Sequence, residues 1–323
     1  MRALNKGLAF LAGAVFALMA QTAAAQPAGA SGLMTRAKFQ DFIRLFNAGD
    51  PHQFDYYTPD VQVEADKVHS LADLKAHDEE TRRNVDIAFR PGLIAIDDSN
   101  NMLAVEMTIR TVALRDGVKL GNNPQPIHKG DAQTTHGTFF FALRDGKFSA
   151  LTIGGGPRAR QKVDLAKARA ESPTPEQLAE PMPASINDPQ MTHQKYEDYA
   201  RLFSRFDPRF LEYYDADVVF ATAPAPKPIL GPQAIYDLYV PLRKTLDEHV
   251  EAPIIVVDNP HNVMIVQLRN RMISTRGDTP LPSGVLKEGE ELIGSGVIVY
   301  SLKAGKISFI QAARSGTKFE PAS

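Results

Sequence analysis

The feature that most restricts this chain is an internal repeat. Met34 to Glu64 reads MTRAKFQDFIRLFNAGDPHQFDYYTPDVQVE, and Met191 to Ala221 reads MTHQKYEDYARLFSRFDPRFLEYYDADVVFA. The two align without a gap at an offset of 157 residues. Thirteen of the 31 positions are identical: Met34, Thr35, Lys38, Asp41, Arg44, Leu45, Phe46, Asp50, Pro51, Tyr56, Tyr57, Asp60 and Val61 with their partners. Unrelated segments would share about two. Weaker matches follow in the same order. Ile94 to Asp97 matches Ile255 to Asp258, Asn101 to Arg110 matches Asn262 to Arg271, and the runs ending at Leu143 and Leu302 match each other. Two copies argue for two tandem domains, because a solenoid needs at least three units.

The repeat places the domains at 31–155 and 191–317. Between them, 156–190 carries Pro157, Pro173, Pro175, Pro181, Pro183 and Pro189 and reads as a semi-rigid linker. Residues 1–25 read as a secretory signal peptide. Arg2 and Lys6 precede an apolar run from Leu8 to Ala20, and Ala23-Ala24-Ala25 suits a signal peptidase. The run is about 13 residues, against roughly 20 for a spanning helix. The expectation is a periplasmic or secreted protein without stable membrane insertion. There is no cysteine, which excludes disulfides, thiol nucleophiles, zinc–cysteine sites and a lipid anchor. A formal net charge of −2 gives no electrostatic case for nucleic acid.

Within each copy, Thr35 and Thr192 stand at helix N-caps, and Phe39, Phe42, Ile43 and Phe46 fall on one helical face. Asp50-Pro51 and Asp207-Pro208 break that helix. The paired tyrosines follow, then a strand from Val61 or Val218. A further helix is expected over about Leu71 to Asn84, and over Pro232 to Glu248 in the second copy. Strands are expected over Leu93–Asp97, Leu103–Leu114, Thr134–Leu143 and Phe148–Ile153, with Asp145-Gly146 as a hairpin turn. Helices ahead of an antiparallel meander make an α+β domain.

This order of elements, opened by a helix, an Asp-Pro break, Tyr-Tyr and x-x-Asp-Val, resembles the nuclear-transport-factor-2-like superfamily, and within it the SnoaL-like branch beside ketosteroid isomerase, scytalone dehydratase and limonene epoxide hydrolase. The resemblance covers both halves of the chain beyond residue 30. It implies two tandem cone-shaped domains, each with N-terminal helices packed on a curved antiparallel sheet around an apolar cavity. Such cones serve isomerases, dehydratases, hydrolases and binders alike, so fold does not name the function.

The strand from Leu103 to Leu114 has a parity. Val105, Met107 and Ile109 share one face, expected to meet the helices and the cavity; Glu106, Thr108 and Arg110 share the other, expected to meet solvent or a partner sheet. The competing reading takes Glu106 with Arg110 as a buried acid and its cationic partner, as the resemblance to limonene epoxide hydrolase allows. Tyr57 is a candidate phenol donor to an oxyanion, against a role in capping the cone. His136 is a candidate for proton transfer. Phe46, Val105 and Met107 in the first copy, and Phe203, Tyr214 and Leu268 in the second, are the expected ligand-binding set. The remaining histidines show no metal-ligand spacing, and no phosphate loop, nucleophile elbow or dinucleotide fingerprint is present. No metal or cofactor is therefore expected.

Two functions compete. One is a binder of a small apolar or amphipathic molecule, with the copies associating through sheet faces as an intramolecular pseudo-dimer or a homodimer. The other is a cofactor-independent lyase or isomerase using one of the two cavities. Glu106 aligns with Gln267, and His136 with Ser295, so no acid–base pair is shared by the copies.

Overall fold

The computed structural model describes residues 33–63, 68–118, 127–221, 227–281 and 283–322; the leader read over 1–25 lies outside them. The chain divides into two compact units. The first is 1–154 with 314–323, and the second is 155–313.

In the first unit α1 (Arg36–Ala48) starts where Thr35 accepts a hydrogen bond from the Lys38 N–H. It ends at Gly49, whose φ of 65° only glycine adopts freely. The Asp50 carboxylate then caps a 3-10 turn over Pro51–Tyr56. The remaining elements are β1 (Tyr57–Val63), α2 (Leu71–Asn84), β2 (Val85–Asp97), β3 (Met102–Ala113), β4 (Ala132–Arg144) and β5 (Lys147–Ile153). The sheet order is β1-β5-β4-β3-β2. β1 lies parallel to β5 and the other neighbours are antiparallel. β2 begins eight residues before the expected Leu93. Pro91-Gly92 does not end the strand; it sits in a bulge between Pro91 and Ile94, where a missing N–H costs no ladder bond.

The second unit repeats this plan. It contains β6 (Ala159–Lys162), α3 (Leu165–Ala170), α4 (Pro175–Leu178), α5 (His193–Ser204), β7 (Tyr214–Ala221), β8 (Ile229–Leu230), α6 (Pro232–Arg243), β9 (Leu246–Asp258), β10 (Val263–Ser274), β11 (Thr279–Leu281), β12 (Gly284–Leu286), β13 (Glu290–Lys303) and β14 (Lys306–Ala312). Its main sheet runs β8-β7-β14-β13-β10-β9. α6 stops at Arg243 and Leu246 already opens β9, so the helix expected as far as Glu248 is shorter. The connector, whose charged and alanine-rich middle from Arg158 to Glu171 suits a short helix, does contain α3, with Ala168 buried, and also contributes β6, which pairs with β13. A last strand, β15 (Gly316–Glu320), pairs with β4 of the first unit.

Both interiors form where the expected helical face meets the sheet. Phe39, Phe42 and Ile43 of α1 bury against Val105, Met107, Ile109, Phe141 and Phe148. Tyr196, Tyr199 and Phe203 of α5 bury against Val266, Tyr300 and Ile307. Each unit is thus an α+β body with its helices on one face of a bulged, mostly antiparallel sheet. No helix of the described residues is long and apolar enough to cross a membrane.

Candidate functional site

The parity of β3 sorts the expected site residues onto two sides of the first sheet. Val105, Met107 and Ile109 are buried with the helices. Glu106 and Arg110 alternate with them and face away, as does His136, which stands opposite Thr108 on β4. His136 is exposed, and its Nδ1 shares a hydrogen bond of 3.0 Å with Thr108 Oγ1. Glu106 Oε1 accepts the Arg314 backbone N–H at 3.3 Å. Arg110 is exposed, within electrostatic reach of Glu320 on β15. Among the described residues no hydrogen bond joins Glu106 to Arg110 or His136. Tyr57 lies on the helix side, 9% exposed. The expected catalytic quartet is therefore divided by the sheet and forms no single site.

The expected ligand-binding residues also differ from a cavity lining. Val105 and Met107 are packed core. Phe203 is buried against Phe210 and Tyr239, at ring-centroid distances of 5.3 and 5.1 Å. Tyr214 is buried with its hydroxyl bonded to that of Tyr199 at 2.8 Å. Leu268 is half-buried at the margin of the same core. Phe46 and Phe203 each border an arginine, the Arg243 guanidinium lying 5.2 Å from the Phe203 centroid, and Phe46 adds an aromatic stack. The Phe46 ring stacks on Phe89 at 3.9 Å, and the Arg82 guanidinium lies 4.7 Å from its centroid.

A different cluster gathers beside Phe46 and Tyr57. Asp78 and Arg82 lie one turn apart on α2, and Arg82 Nε donates to Asp78 Oδ2 at 2.9 Å. Arg82 Nη2 also donates to the Phe46 carbonyl at 2.7 Å, tying α2 to the end of α1. Gln53, buried in the 3-10 turn, donates to the same Asp78 oxygen at 3.3 Å. Tyr57 enters as the first residue of β1, its ring edge-on to Phe42 and Phe148. Burial pushes its phenol pKa up, and the Asp78 charge pushes it further. Among the described residues the Tyr57 hydroxyl has no hydrogen-bond partner. Its neighbour Tyr56 is capped: its hydroxyl donates to Asp41 at 2.7 Å, and burial together with that bond raises it to about 12. A protonated phenol, an acceptor carboxylate and an amide thus meet an aromatic wall in the first unit.

Sequence reasoning missed Gln53, Asp78 and Arg82. The signal available was the second copy, because Arg82 aligns with Arg243 when α2 and α6 are superposed by their first residues. Arg243 donates to the Phe203 carbonyl at 2.9 Å, as Arg82 does to that of Phe46. The polar members do not recur: Gln53 aligns with Phe210 and Asp78 with Tyr239.

The second unit also carries an open crevice of about 580 Å³, lined by residues that include Arg205, Asp207, Arg209, Arg243, Asp247 and Arg276. Its cations are already matched. Arg276 pairs with Asp247 at 2.6 Å, Arg205 with Glu180 at 2.7 Å, and Arg209 with Asp207 at 2.5 Å. The crevice is a seam of compensated charge. Among the described residues no group of three or more His, Asp or Glu side chains could hold a metal ion.

No family model matches the chain, and no curated protein does. Among solved structures it is similar to a polyketide cyclase-like protein of Pseudomonas putida, at 20% identity over 36% of this chain and 86% of that one, with a TM-score of 0.31. It is also similar to a Δ5-3-ketosteroid isomerase from Mycobacterium sp. (18% identity, 36% and 88% covered, TM-score 0.29). A third is a limonene-epoxide-hydrolase-like protein of Mycobacterium tuberculosis (14% identity, 36% and 77% covered, TM-score 0.29). Taken on its own architecture, each unit has the helices, tyrosine-led first strand and bulged sheet implied by the resemblance to the SnoaL-like branch of the nuclear-transport-factor-2-like superfamily.

Proposed function

We propose that the first unit binds a small amphipathic molecule and that the second unit is structural. The observation that carries this reading is the contrast between two aligned tyrosines. The Tyr214 hydroxyl is consumed by Tyr199, whereas the Tyr57 hydroxyl is unpaired among the described residues. The Tyr57 hydroxyl is thus left free to donate to a ligand acceptor, a hydrogen bond worth about 0.5–1.5 kcal/mol. Its raised pKa keeps the proton in place at physiological pH, so it acts as a donor to a carbonyl or ether oxygen. Phe46 and Phe89 supply an apolar wall, and Asp78, bonded to Arg82, accepts from a ligand hydroxyl or amine. Acid–base turnover by Glu106 and His136 has less support, because both side chains lie on the far face of the sheet. Export to the periplasm is part of the proposal and rests on the leader pattern over residues 1–25.

The test is fluorescence titration with Nile red, a neutral amphipathic carbonyl compound, on the full chain. Saturable binding is expected. Tyr57→Phe should weaken it about five- to tenfold, the worth of one hydrogen bond. Gln53→Phe, which copies the second unit's residue, should abolish it. Tyr214→Phe should leave it unchanged. Binding that ignores both first-unit variants overturns the assignment.

A further inference from the structure

Two short strands stand apart from the meander of either unit, and the repeat offset relates them. β6 (Ala159–Lys162) follows the first copy's β5 and β15 (Gly316–Glu320) follows the second copy's β14; at the offset of 159 that aligns Leu143 with Leu302 and Gly154 with Ala313, Ala159 aligns with Lys318 and the two strands overlap. They are the same strand of the repeat. Yet β6, which follows the first copy in sequence, pairs with β13 of the second unit. β15, which follows the second copy, pairs with β4 of the first. We infer that the two repeats have exchanged their last strands, so that neither sheet is completed by its own copy.

The local geometry supports this. In the first unit β5 follows β4 until Phe139↔Ile153, and the Gly154 N–H then donates to the Thr138 carbonyl. In the second unit β14 follows β13 until Ile298↔Ala312, and the Ala313 N–H donates to the Val297 carbonyl. A straight continuation would carry each chain along the rest of its own long strand. Instead, β4 residues 132–136 receive β15, and β13 residues 290–293 receive β6. The departure after the first copy uses Gly155 at φ +94°, a conformation that side-chain-bearing residues rarely adopt.

Matched side chains clasp the departing segments. Glu106 accepts the Arg314 N–H at 3.3 Å, and its aligned residue Gln267 accepts the Gly155 N–H at 2.8 Å. The residue that sequence reasoning considered as a catalytic acid is a fastener at the crossing point. That accounts for a feature acid–base chemistry does not: the position tolerates Gln in one copy and Glu in the other, because both supply the acceptor oxygen. The consequence is that residues 314–323 belong functionally to the first repeat. Damage at the C-terminus is felt in the first sheet, and the second sheet depends on residues that precede its own repeat.

The chain has no cysteine, which permits a clean test. Thr135 and Thr317 are cross-strand partners with hydroxyls 3.3 Å apart. The double variant Thr135→Cys/Thr317→Cys should form an intramolecular disulfide on mild oxidation, seen as a monomer of altered mobility without reductant. The pair Thr135→Cys/Arg158→Cys, which would bond if the first copy kept its own strand, should not. A covalent dimer from the first pair would place the exchange between chains. No cross-link from the first pair, or a cross-link from the second, also overturns the inference. An independent reading uses hydrogen exchange on the full chain. Thr317→Pro should speed exchange at 132–136 by about tenfold or more while leaving 290–293 unchanged; loss at 290–293 instead would refute the exchange.

Discussion

The two units use one framework with two kinds of interior. Phe39, Phe42 and Phe141 of the first unit align with Tyr196, Tyr199 and Tyr300 of the second. The added hydroxyls are not scattered. Tyr196 bonds Tyr300 and Tyr199 bonds Tyr214, each at 2.8 Å. Tyr214 has its counterpart in Tyr57, which both copies keep. Changing a buried phenylalanine to tyrosine is tolerated only where a partner oxygen is in reach. The second unit met that condition by internal pairing at Tyr196, Tyr199, Tyr214 and Tyr300, so those four hydroxyls are spent. The first unit, with phenylalanines around it, leaves one hydroxyl unspent and places a carboxylate and an amide nearby. Function and closure are thus alternative uses of the same tyrosine.

The conserved arginines provide the harshest test of this contrast. Arg243 and Glu248 are almost fully buried as a pair at 3.1 Å. Arg243→Met should cost about 3–5 kcal/mol in denaturant unfolding, because it strands a buried carboxylate. Arg82→Met, at a pair that still meets water, should cost about 1 kcal/mol. Equal costs would erase the distinction between a sealed and an accessible interior.

The tyrosine pairs come next. Tyr199→Phe should cost about 1–3 kcal/mol by orphaning the Tyr214 hydroxyl, whereas Tyr57→Phe should change stability by no more than about 0.5 kcal/mol. Alkaline titration sharpens the same point. Burial raises the pKa values of Tyr196, Tyr199, Tyr214, Tyr239 and Tyr300. The unfolded chain ionises its tyrosines near pH 10, and above that it binds fewer protons than the folded one. This contribution is therefore complete below about pH 10 and declines as pH rises toward the folded values. Ultraviolet absorbance of tyrosinate, followed with unfolding, should show the second unit losing structure before the first. The smallest effect is expected at Glu106→Gln. It keeps the acceptor for Arg314, so stability should stay within about 0.5 kcal/mol and Nile red binding should not change.

Much of each unit was legible because the relevant forces are local. Thr35 and Thr192 cap helices as their neighbours imply, Asp50-Pro51 and Asp207-Pro208 start 3-10 turns, and Asp145-Gly146 turns a hairpin with positive φ at both residues. The alternation along β3 also sorted Val105 from Glu106 correctly. Errors arose where a long-range pairing overrode a local cue. Pro91-Gly92 became a bulge within a strand held on β3, and Leu246 to Glu248 left the helical pattern to join β10. The candidate site was less legible than the fold. Asp78 and Arg82 sit on a helix of low apolar content, and only their meeting with Gln53 and Tyr57 distinguishes them from surface charge.

The sequence by itself determined that there are two copies, where their helices start and break, and which face of each long strand is apolar, because caps, turns and side-chain alternation act between near neighbours. Only the tertiary structure decided which tyrosine hydroxyl is satisfied and which sheet each terminal strand completes. Both are choices among partners far apart in the chain, and a repeated sequence offers two partners of nearly equal local chemistry. What separates them is the path of the backbone at Gly155 and Arg314, which no pattern of residues announces.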